Sequence, residues 1–339
     1  MAYSPKADRR SFLQILGALG IGAGMRPGKA RANDESLSVD DWPAMPQVTY
    51  GRTGFKGSRL VFGCGAALSG GQANNLLEPA FDAGINVFDV GTKRYYKEAE
   101  KNLGPFISKI RDRALLISKA MLYVDVGAQD DIDTAIAREA AKNWTRLLDE
   151  SLGELGTDHI DAYYVMAANN VGITKAEEMH EAFLAAKRSG KVKYWGISTH
   201  ENAEAVTNAA VETGWYDLMQ IAITPAGWYD WESKSVLGDS PDMKGLRPVL
   251  DRARGAGIAL IGMKAGRHLA GRWWLGGGND KAYDEHYPEP LMRAGLNAFQ
   301  RSYAYVLEHG LDAVNADMQT YEHLQQNFVA TAQSNTWFV

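Results

Sequence analysis

The sequence predicts a (β/α)8 barrel, in which one parallel sheet closes on itself inside a ring of helices. From Val48 onward, short apolar and β-branched runs alternate with longer segments of helical periodicity, which is the pattern of βα units around a parallel sheet. Eight strand runs can be counted. The chain has 339 residues, and such barrels typically need about 250. Functional side chains are expected where the strands end at their carboxyl termini.

The eight predicted strands cover 60–62, 86–88, 115–118, 162–165, 193–197, 218–222, 259–262 and 313–315. Helices are predicted over 133–152 and 176–189, because apolar residues recur there on one helical face. A doubly wound open sheet is the alternative fold. Its dinucleotide-binding turn has three glycines spaced Gly-x-Gly-x-x-Gly, but here Gly63 and Gly65 are followed by Leu68 in the third position, which favours the barrel.

Composition narrows the possible functions. Hydrophobic residues make up 45% of the chain and charged residues 23%, as in ordinary globular proteins, and the formal net charge is −5. An acidic chain is a poor candidate for binding a phosphate backbone, so no nucleic-acid partner is expected. The single cysteine, Cys64, excludes an intrachain disulfide and a four-cysteine metal site. No pattern of metal ligands is present, and no metal is predicted.

The amino terminus has the layout of an export signal. Arg9 and Arg10 precede an apolar run over 15–22, which is too short for a membrane span of about 20 residues. Ala30 and Ala32 provide a small-x-small cleavage site, so we expect cleavage before Asn33. A disordered basic tail beside an apolar patch is the alternative interpretation.

The adjacent arginines resemble a twin-arginine signal, which implies the twin-arginine translocation machinery as a partner. That route carries folded and often cofactor-loaded proteins. The chain is therefore predicted to comprise a signal peptide at 1–32, a linker at 33–47 and a barrel at 48–335. A periplasmic or otherwise exported protein is expected, with no stable membrane span after cleavage.

Two strand ends carry polar residues suited to catalysis. In Gly84-Ile85-Asn86-Val87-Phe88-Asp89 the second strand ends on Asp89, and Tyr96 lies in the loop that follows. In Leu115-Leu116-Ile117-Ser118-Lys119 the third strand ends on Lys119. These segments resemble the signature of the aldo-keto reductases, and the resemblance extends over about 48–332. Within it, 48–59 looks like the amino-terminal β-hairpin that closes the bottom of the barrel in that family. It implies that Asp89, Tyr96 and Lys119 are catalytic in hydride transfer between a nicotinamide cofactor and a small-molecule carbonyl or alcohol substrate.

Which tyrosine acts is open from the spacing. The family usually places the Tyr five residues after the Asp, whereas Tyr95 and Tyr96 lie six and seven residues after Asp89. Counting back from Glu100 favours Tyr96. A tyrosine with a pKa near 10 can give up a proton at neutral pH only if a nearby cation lowers that pKa. Lys119 is expected to supply the charge, and Asp89 is expected to hold Lys119.

The fourth strand departs from the family pattern, because Met166 stands where a catalytic His is usual. A thioether makes no strong hydrogen bond. Asn169 and Asn170 follow closely and are candidate substitutes, while His200 lies after the fifth strand. Two interpretations stay open: a changed reaction, or a barrel that retains a cofactor without turnover.

The resemblance also assigns cofactor contacts. Ser198 and Gln220 match positions that hold the nicotinamide carboxamide, Gly65 is a further predicted contact after the first strand, and Gln326 and Asn327 match contacts to adenine. NADP is the implied cofactor, with NAD possible. The last unit has Asp317 instead of a basic residue, and an acid there would repel a 2′-phosphate.

Two predicted loops, 223–244 and 264–293, are longer than usual and rich in aromatic residues. Those residues either shape a substrate pocket or pack the loops down. For the whole chain we retain two functional hypotheses: an exported aldo-keto oxidoreductase, and a nicotinamide- or ligand-binding barrel that has lost turnover. A hydrolase or lyase lacks the carboxylate pairs or metal ligands that it would need.

Overall fold

The computed structural model describes residues 42, 44–122, 124, 126–230, 234–269 and 278–332. The predicted signal peptide and most of the predicted linker lie outside these residues. So do three aromatic residues of the two long loops, Trp231, Trp273 and Trp274. Within the described ranges no helix is long and apolar enough to span a membrane.

Eight parallel strands form a closed barrel, as predicted. The strands in chain order are β1 (Gln47–Thr49), β2 (Lys56–Ser58), β3 (Leu60–Gly63), β4 (Val87–Asp89), β5 (Leu115–Met121), β6 (Ile160–Met166), β7 (Val192–Thr199), β8 (Leu218–Thr224), β9 (Gly227–Asp230), β10 (Ser235–Val236), β11 (Ala259–Met263) and β12 (Ala313–Asp317). The barrel runs from β3 through β8, then β11 and β12, and β12 pairs with β3 to close it. All eight predicted strands are present.

Helices cover the outside of the barrel. They are α1 (Cys64–Leu68), α2 (Leu77–Asp82), α3 (Lys93–Tyr96), α4 (Ala99–Ile110), α5 (Thr134–Leu155), α6 (Val171–Lys175), α7 (Glu177–Arg188), α8 (Ala203–Thr213), α9 (Arg247–Gly255), α10 (Glu289–Met292), α11 (Ala298–Glu308) and α12 (Tyr321–Ala332). The two helices predicted in detail correspond to α5 and α7. Helix α5 begins where the Asp133 side chain accepts a hydrogen bond from the Ile136 amide at 2.8 Å, and ends at Gly156 in the left-handed conformation.

The amino-terminal end of the barrel is closed by a hairpin, also as predicted. Strands β1 and β2 pair antiparallel, with Val48 opposite Gly57. Tyr50 in the turn is fully buried among the residues that fill the barrel interior. Its hydroxyl donates to the Ser58 carbonyl at 2.8 Å, which satisfies the one polar atom of this side chain.

Every second residue of each strand points into the barrel, and these residues form one core. The buried interior residues are Val61, Val87, Leu115, Ile117, Ala162, Tyr164, Leu218, Ala259, Ile261 and Ala313. Gly196 on β7 faces the ring of Tyr164 on the adjacent strand β6. The missing side chain at Gly196 makes room for that ring.

The long loops at the opposite end are partly ordered by strands. After β8 the chain turns back as β9, which pairs antiparallel with β8, and β10 then pairs with β9. Four aromatic residues of the two loops are at most 8% exposed: Trp228, Tyr229, Tyr283 and Tyr287. Of the two interpretations of these aromatics, loop packing therefore holds for the described members.

A substitution at Gly196 tests the packing of the barrel interior. In Gly196→Ala the new methyl group would overlap the Tyr164 ring, so we expect a loss of about 1–3 kcal/mol in the free energy of unfolding. Gly153→Ala is the matched control, because a Cβ at this exposed position in α5 meets nothing within 4 Å and should stabilise the helix by about 0.5–1 kcal/mol. Urea unfolding measures both. Equal midpoints for Gly196→Ala and the wild type would show that the interior is not packed as described.

Candidate active site

The centre of the barrel mouth is an ion pair between two adjacent strands. Asp89 ends β4 and Lys119 lies near the end of β5, and the Lys119 ammonium donates to Asp89 Oδ1. Lys119 also donates to the Val90 carbonyl at 2.8 Å. Both side chains are at most 5% exposed. The pairing expected from the strand ends is therefore present.

The other oxygen of Asp89 accepts hydrogen bonds from across the barrel. Gln220 Nε2 on β8 donates to Oδ2 at 3.2 Å, and Asn315 Nδ2 on β12 donates to it at 2.5 Å. Gln220 thus lies beside the ion pair, whereas its predicted contact with a carboxamide stays a prediction. Asn315 is not among the residues that the sequence predicted for the site. Its place in β12, two residues after the inward-facing Ala313, is a signal that it faces the barrel mouth.

The two tyrosines occupy different environments. Tyr95 is 45% exposed, and its ring meets the edge of the Tyr96 ring at a centroid distance of 4.8 Å. Tyr96 is half-buried between two glycines: a Cβ at Gly65 would lie 2.5 Å from Tyr96 Cε1, and one at Gly91 would lie 3.1 Å from Tyr96 Cδ2 and 3.7 Å from Lys119 Cβ. Tyr96 is therefore the tyrosine beside Lys119. Gly65 makes room for its ring, and its predicted contact with a cofactor stays a prediction.

The prediction that Lys119 lowers the pKa of the Tyr96 hydroxyl is wrong for the protein alone, in which that pKa is raised. Burial raises the pKa of the Tyr96 hydroxyl, and the charges of Asp89, Tyr95 and Asp317 raise it further. The Lys119 ammonium is bonded to Asp89 and to a backbone carbonyl, so its positive charge is already balanced next to Tyr96. The hydroxyl is consequently held in its protonated form.

Met166 ends β6 beside an open cavity. It is 6% exposed and is in register with Met121 of β5, so two thioether side chains are adjacent at the barrel mouth. The cavity has a volume of about 480 Å³, and most of its walls are apolar, including Val126 as well as both methionines. Asn169 and Glu201 provide polar wall atoms. The position at which the sequence resemblance implies a His is thus part of an apolar wall.

The two asparagines after Met166 are used to build loops. Asn169 donates to Glu201, and its carbonyl oxygen Oδ1 accepts from the Thr199 hydroxyl at 3.1 Å. Asn170 begins α6 by accepting from the Ile173 amide at 2.9 Å. Its amide group donates to the carbonyls of Gly127 and Asp130 at 2.7 and 2.8 Å. Both asparagines are thus engaged in loop contacts, and their role as substitutes for a His stays a prediction.

Cations gather on the β7 and β11 side of the mouth. Burial lowers the pKa of Lys264 to about 8, and the charges of Arg267, Lys119 and Lys234 lower it further, against the opposing effect of Asp317. Burial likewise lowers the pKa of His200 to about 3, with Lys264, Lys234 and Lys119 adding to the effect. His200 is therefore a neutral imidazole at physiological pH. Lys264 has a backbone φ of 69°, in the left-handed region that few side chains adopt.

The remaining predicted cofactor residues lie at three places around the mouth. Ser198 near the end of β7 is buried, and its hydroxyl accepts from the Ala167 amide at 3.2 Å. Gln326 and Asn327 lie on α12, where Gln326 Nε2 donates to Glu322 at 2.9 Å and Asn327 is 7% exposed. Asp317 at the end of β12 accepts from Gln319 Nε2 at 2.8 Å. Their cofactor roles stay predictions. No cluster of three or more potential metal ligands occurs within the described ranges.

Comparison with known proteins identifies the family. The sequence profile described as "Aldo/keto reductase family" matches residues 50–234, and the chain belongs to this family. Two oxidoreductases of Bacillus subtilis that are named as uncharacterized are similar in sequence: YrpG is 30% identical over 163 residues, 45% of this chain and 49% of YrpG. YqkF is 30% identical over 134 residues, 38% of this chain and 40% of YqkF. The chain therefore aligns with half or less of the length of these curated relatives.

Solved structures support the same fold. The PA4992 protein of Pseudomonas aeruginosa, whose name carries a provisional assignment as an aldo-keto reductase, superposes with a TM-score of 0.57 at 22% identity. The match covers 87% of this chain and 98% of that protein. At this identity the likeness concerns the barrel architecture alone.

Proposed function

We propose that the protein is an oxidoreductase that transfers a hydride between a nicotinamide dinucleotide and a carbonyl or alcohol substrate. The observation that carries the proposal is the buried Asp89–Lys119 ion pair, with the Tyr96 ring next to it across Gly91. Two ionised groups are retained in a barrel interior at a high desolvation cost. Membership of the aldo/keto reductase family agrees with such a reaction.

Tyr96 is the proposed proton donor. The cofactor, when bound, supplies the hydride that the carbonyl carbon gains. The carbonyl oxygen then carries developing negative charge, and the Tyr96 hydroxyl gives it a proton and is later reprotonated from water. The Tyr96 hydroxyl is protonated and available as a donor at neutral pH, because its pKa is raised. The buried pair of Asp89 and Lys119 forms the surface beside which the Tyr96 ring is held, across Gly91.

The cation cluster fits the phosphates of a dinucleotide. The charges of Arg267 and Lys234 lower the pKa of Lys264, so an anion bound among the three would relieve their repulsion. Asp317 acts against these charges and raises the pKa of Lys264. The cations favour the phosphates that NADP and NAD share, whereas Asp317 opposes a further 2′-phosphate at the last barrel unit. Lys264 is the residue we propose to bind the phosphates.

The cavity beside Met166 is proposed to take an apolar part of the substrate. Met121 lies two residues beyond Lys119 on the same strand and faces the same way, and Met166 is paired with it. A substituent in the cavity would thus lie near the ion pair. Met166 replaces a hydrogen-bonding residue with an adaptable apolar surface, which favours a hydrophobic carbonyl compound.

A binding barrel without turnover is the second candidate. Met166 in the His position and the raised pKa of Tyr96 favour it, because both weaken proton transfer in the protein alone. In that case the protein binds a dinucleotide or another ligand for sensing or storage. The next experiment separates this candidate from the oxidoreductase.

Exchanging each tyrosine for Phe tests the proton donor. Tyr96→Phe should lower the rate of aromatic-aldehyde reduction about 10²–10⁴-fold, since the general acid is removed. Tyr95→Phe is the control, because Tyr95 is exposed and should retain most of the rate. Oxidation of NADPH or NADH, followed by its absorbance, measures the rate. Wild-type binding of a dinucleotide without turnover would favour the binding barrel, and an equal rate in Tyr96→Phe would remove Tyr96 as the acid.

Removing the charge of Lys264 tests the phosphate site. Lys264→Met should raise the dissociation constant of the dinucleotide about 10–100-fold, which corresponds to one charge-assisted hydrogen bond. Lys281→Met makes the same charge change at an exposed position and should leave the constant near the wild-type value. Fluorescence titration with NADPH and with NADH also establishes which cofactor is preferred. Equal affinities in both variants would contradict a phosphate site at Lys264.

We further propose export through the twin-arginine translocation machinery to the periplasm, supported by Arg9, Arg10 and the short apolar run that follows. Amino-terminal sequencing of the protein from a periplasmic extract should give a chain beginning at Asn33. A Lys–Lys exchange at both arginines should keep the precursor in the cytoplasm. Recovery of the uncleaved chain from the cytoplasm alone, without these exchanges, would contradict export.

A further inference from the structure

A buried carboxyl group lies behind the strand that carries Lys119. Glu100 on α4 is 0% exposed, and its Oε1 accepts a hydrogen bond of 2.6 Å from the Ser118 hydroxyl on β5. Its Oε2 is buried with no hydrogen-bond partner among the described residues. Burying a carboxylate this way is costly. Neither the proposed proton transfer nor cofactor binding uses Glu100.

Glu100 completes a two-point attachment of the segment that bears Tyr96. At the start of this segment the Thr92 amide donates to the Lys119 carbonyl at 3.1 Å. At its end Glu100 accepts from Ser118, the residue directly before Lys119. Tyr96 lies midway between these two attachments. Two neighbouring residues of β5 thus hold both ends of the loop that places Tyr96.

We propose that Glu100 is a positioning residue that holds the Tyr96 segment against the Lys119 strand. The hydrogen bond to Ser118 fixes the first turn of α4, and that turn fixes the short stretch between Tyr96 and Glu100. This stretch contains Lys97, whose φ of 52° lies in the left-handed region. A non-glycine residue keeps such a backbone conformation only when the surrounding structure holds it, here the segments before and after Lys97. Without the attachment at Glu100, Tyr96 is held to β5 from one side only.

The surroundings of Glu100 make this attachment sensitive to pH. Burial raises the pKa of Glu100 to about 7, while the Ser118 hydroxyl, which donates to it, and the nearby Ser151 hydroxyl oppose this rise, and the carboxylates of Glu154 and Glu150 on α5 add to it. On β6, Tyr163 faces the same group, and its hydroxyl lies 3.1 Å from the Ser151 hydroxyl. Lys93 forms an ion pair with Glu154 at 2.6 Å and is a further charged group in the surroundings of Glu100.

The direction of the pH effect follows from proton linkage. An opened segment exposes Glu100 to water, where its pKa returns towards 4.5, whereas the closed segment keeps the proton up to about pH 7. Opening therefore releases a proton between these two values and becomes easier as the pH rises through this window. Above about pH 7 both states are ionised, and no further change is expected from this group.

Hydrogen exchange of the Tyr96 segment tests the proposal without any substrate. The amides of Tyr95, Tyr96 and Lys97 are hydrogen-bonded at 3.0, 3.0 and 2.7 Å, so their exchange reports opening. Between about pH 5 and pH 7 their protection factors should fall by up to about tenfold per pH unit in the wild type. In Glu100→Gln they should stay constant, because an amide side chain does not titrate.

Two further variants keep the test decisive. Glu98→Gln changes a half-exposed carboxylate that pairs with Lys101 on the same turn, and it should follow the wild type. Ser118→Ala removes the donor but not the carboxyl, and it should lower protection of the three amides at every pH in the window. Equal loss of protection in β7, far from Glu100, would show an effect on global stability alone. That result, or a Glu100→Gln profile identical to the wild type, would overturn the proposal.

A second readout rests on the proposed function. If Tyr96 is the proton donor, kcat should decline in the wild type between about pH 5 and pH 7 relative to Glu100→Gln, with KM for the aldehyde similar in both. The hydrogen-exchange measurement and the kcat measurement can fail independently of each other. Absence of turnover with the expected exchange pattern would remove the oxidoreductase and keep the attachment, whereas turnover without that pattern would remove the attachment alone.

Discussion

The ion pair of Asp89 and Lys119 is the interaction on which the mouth of this barrel depends. Both charges are withdrawn from water, and such a pair persists only when each remaining polar atom finds a partner. Gln220 and Asn315 meet this need on one oxygen of Asp89, and the Val90 carbonyl meets it on Lys119. Strands β4, β5, β8 and β12 are thereby tied together at their carboxyl ends. Tyr96 lies against this group, and the charge of Asp89 adds to the burial that raises its pKa.

Around the ion pair the mouth has three chemically distinct sides. Cations collect near β7 and β11, where the positive charges of neighbouring residues lower the pKa of Lys264. Near β5 and β6 the wall is apolar, with Met121 and Met166 beside the cavity. Behind β5 lies the buried Glu100, outside the barrel interior. An anionic cofactor, a hydrophobic carbonyl compound and a pH-sensitive support for Tyr96 can thus occupy separate regions without competing for the same atoms.

Much of the fold was predictable because its signals are local. The eight strands and helix α5 follow from apolar periodicity and from end signals such as Asp133 and Gly156, which act within a few residues. The loop aromatics show the limit of such signals. Trp228 and Tyr283 are compatible in sequence with either a pocket or a packed loop, and only their burial in the folded chain distinguishes the two.

The sequence by itself determined that Asp89 and Lys119 lie at adjacent strand ends, because strand order and alternation fix which residues reach the mouth, and it left Tyr95 and Tyr96 as alternatives for the tyrosine beside them. The tertiary structure alone decided how their charges behave. Asn315 is 226 residues from Asp89 in the chain and becomes its partner only when β12 closes the ring against β3. The raised pKa of Tyr96 and the lowered pKa of Lys264 likewise arise from burial and from charges brought together by closure, and neither quantity is encoded in a local pattern.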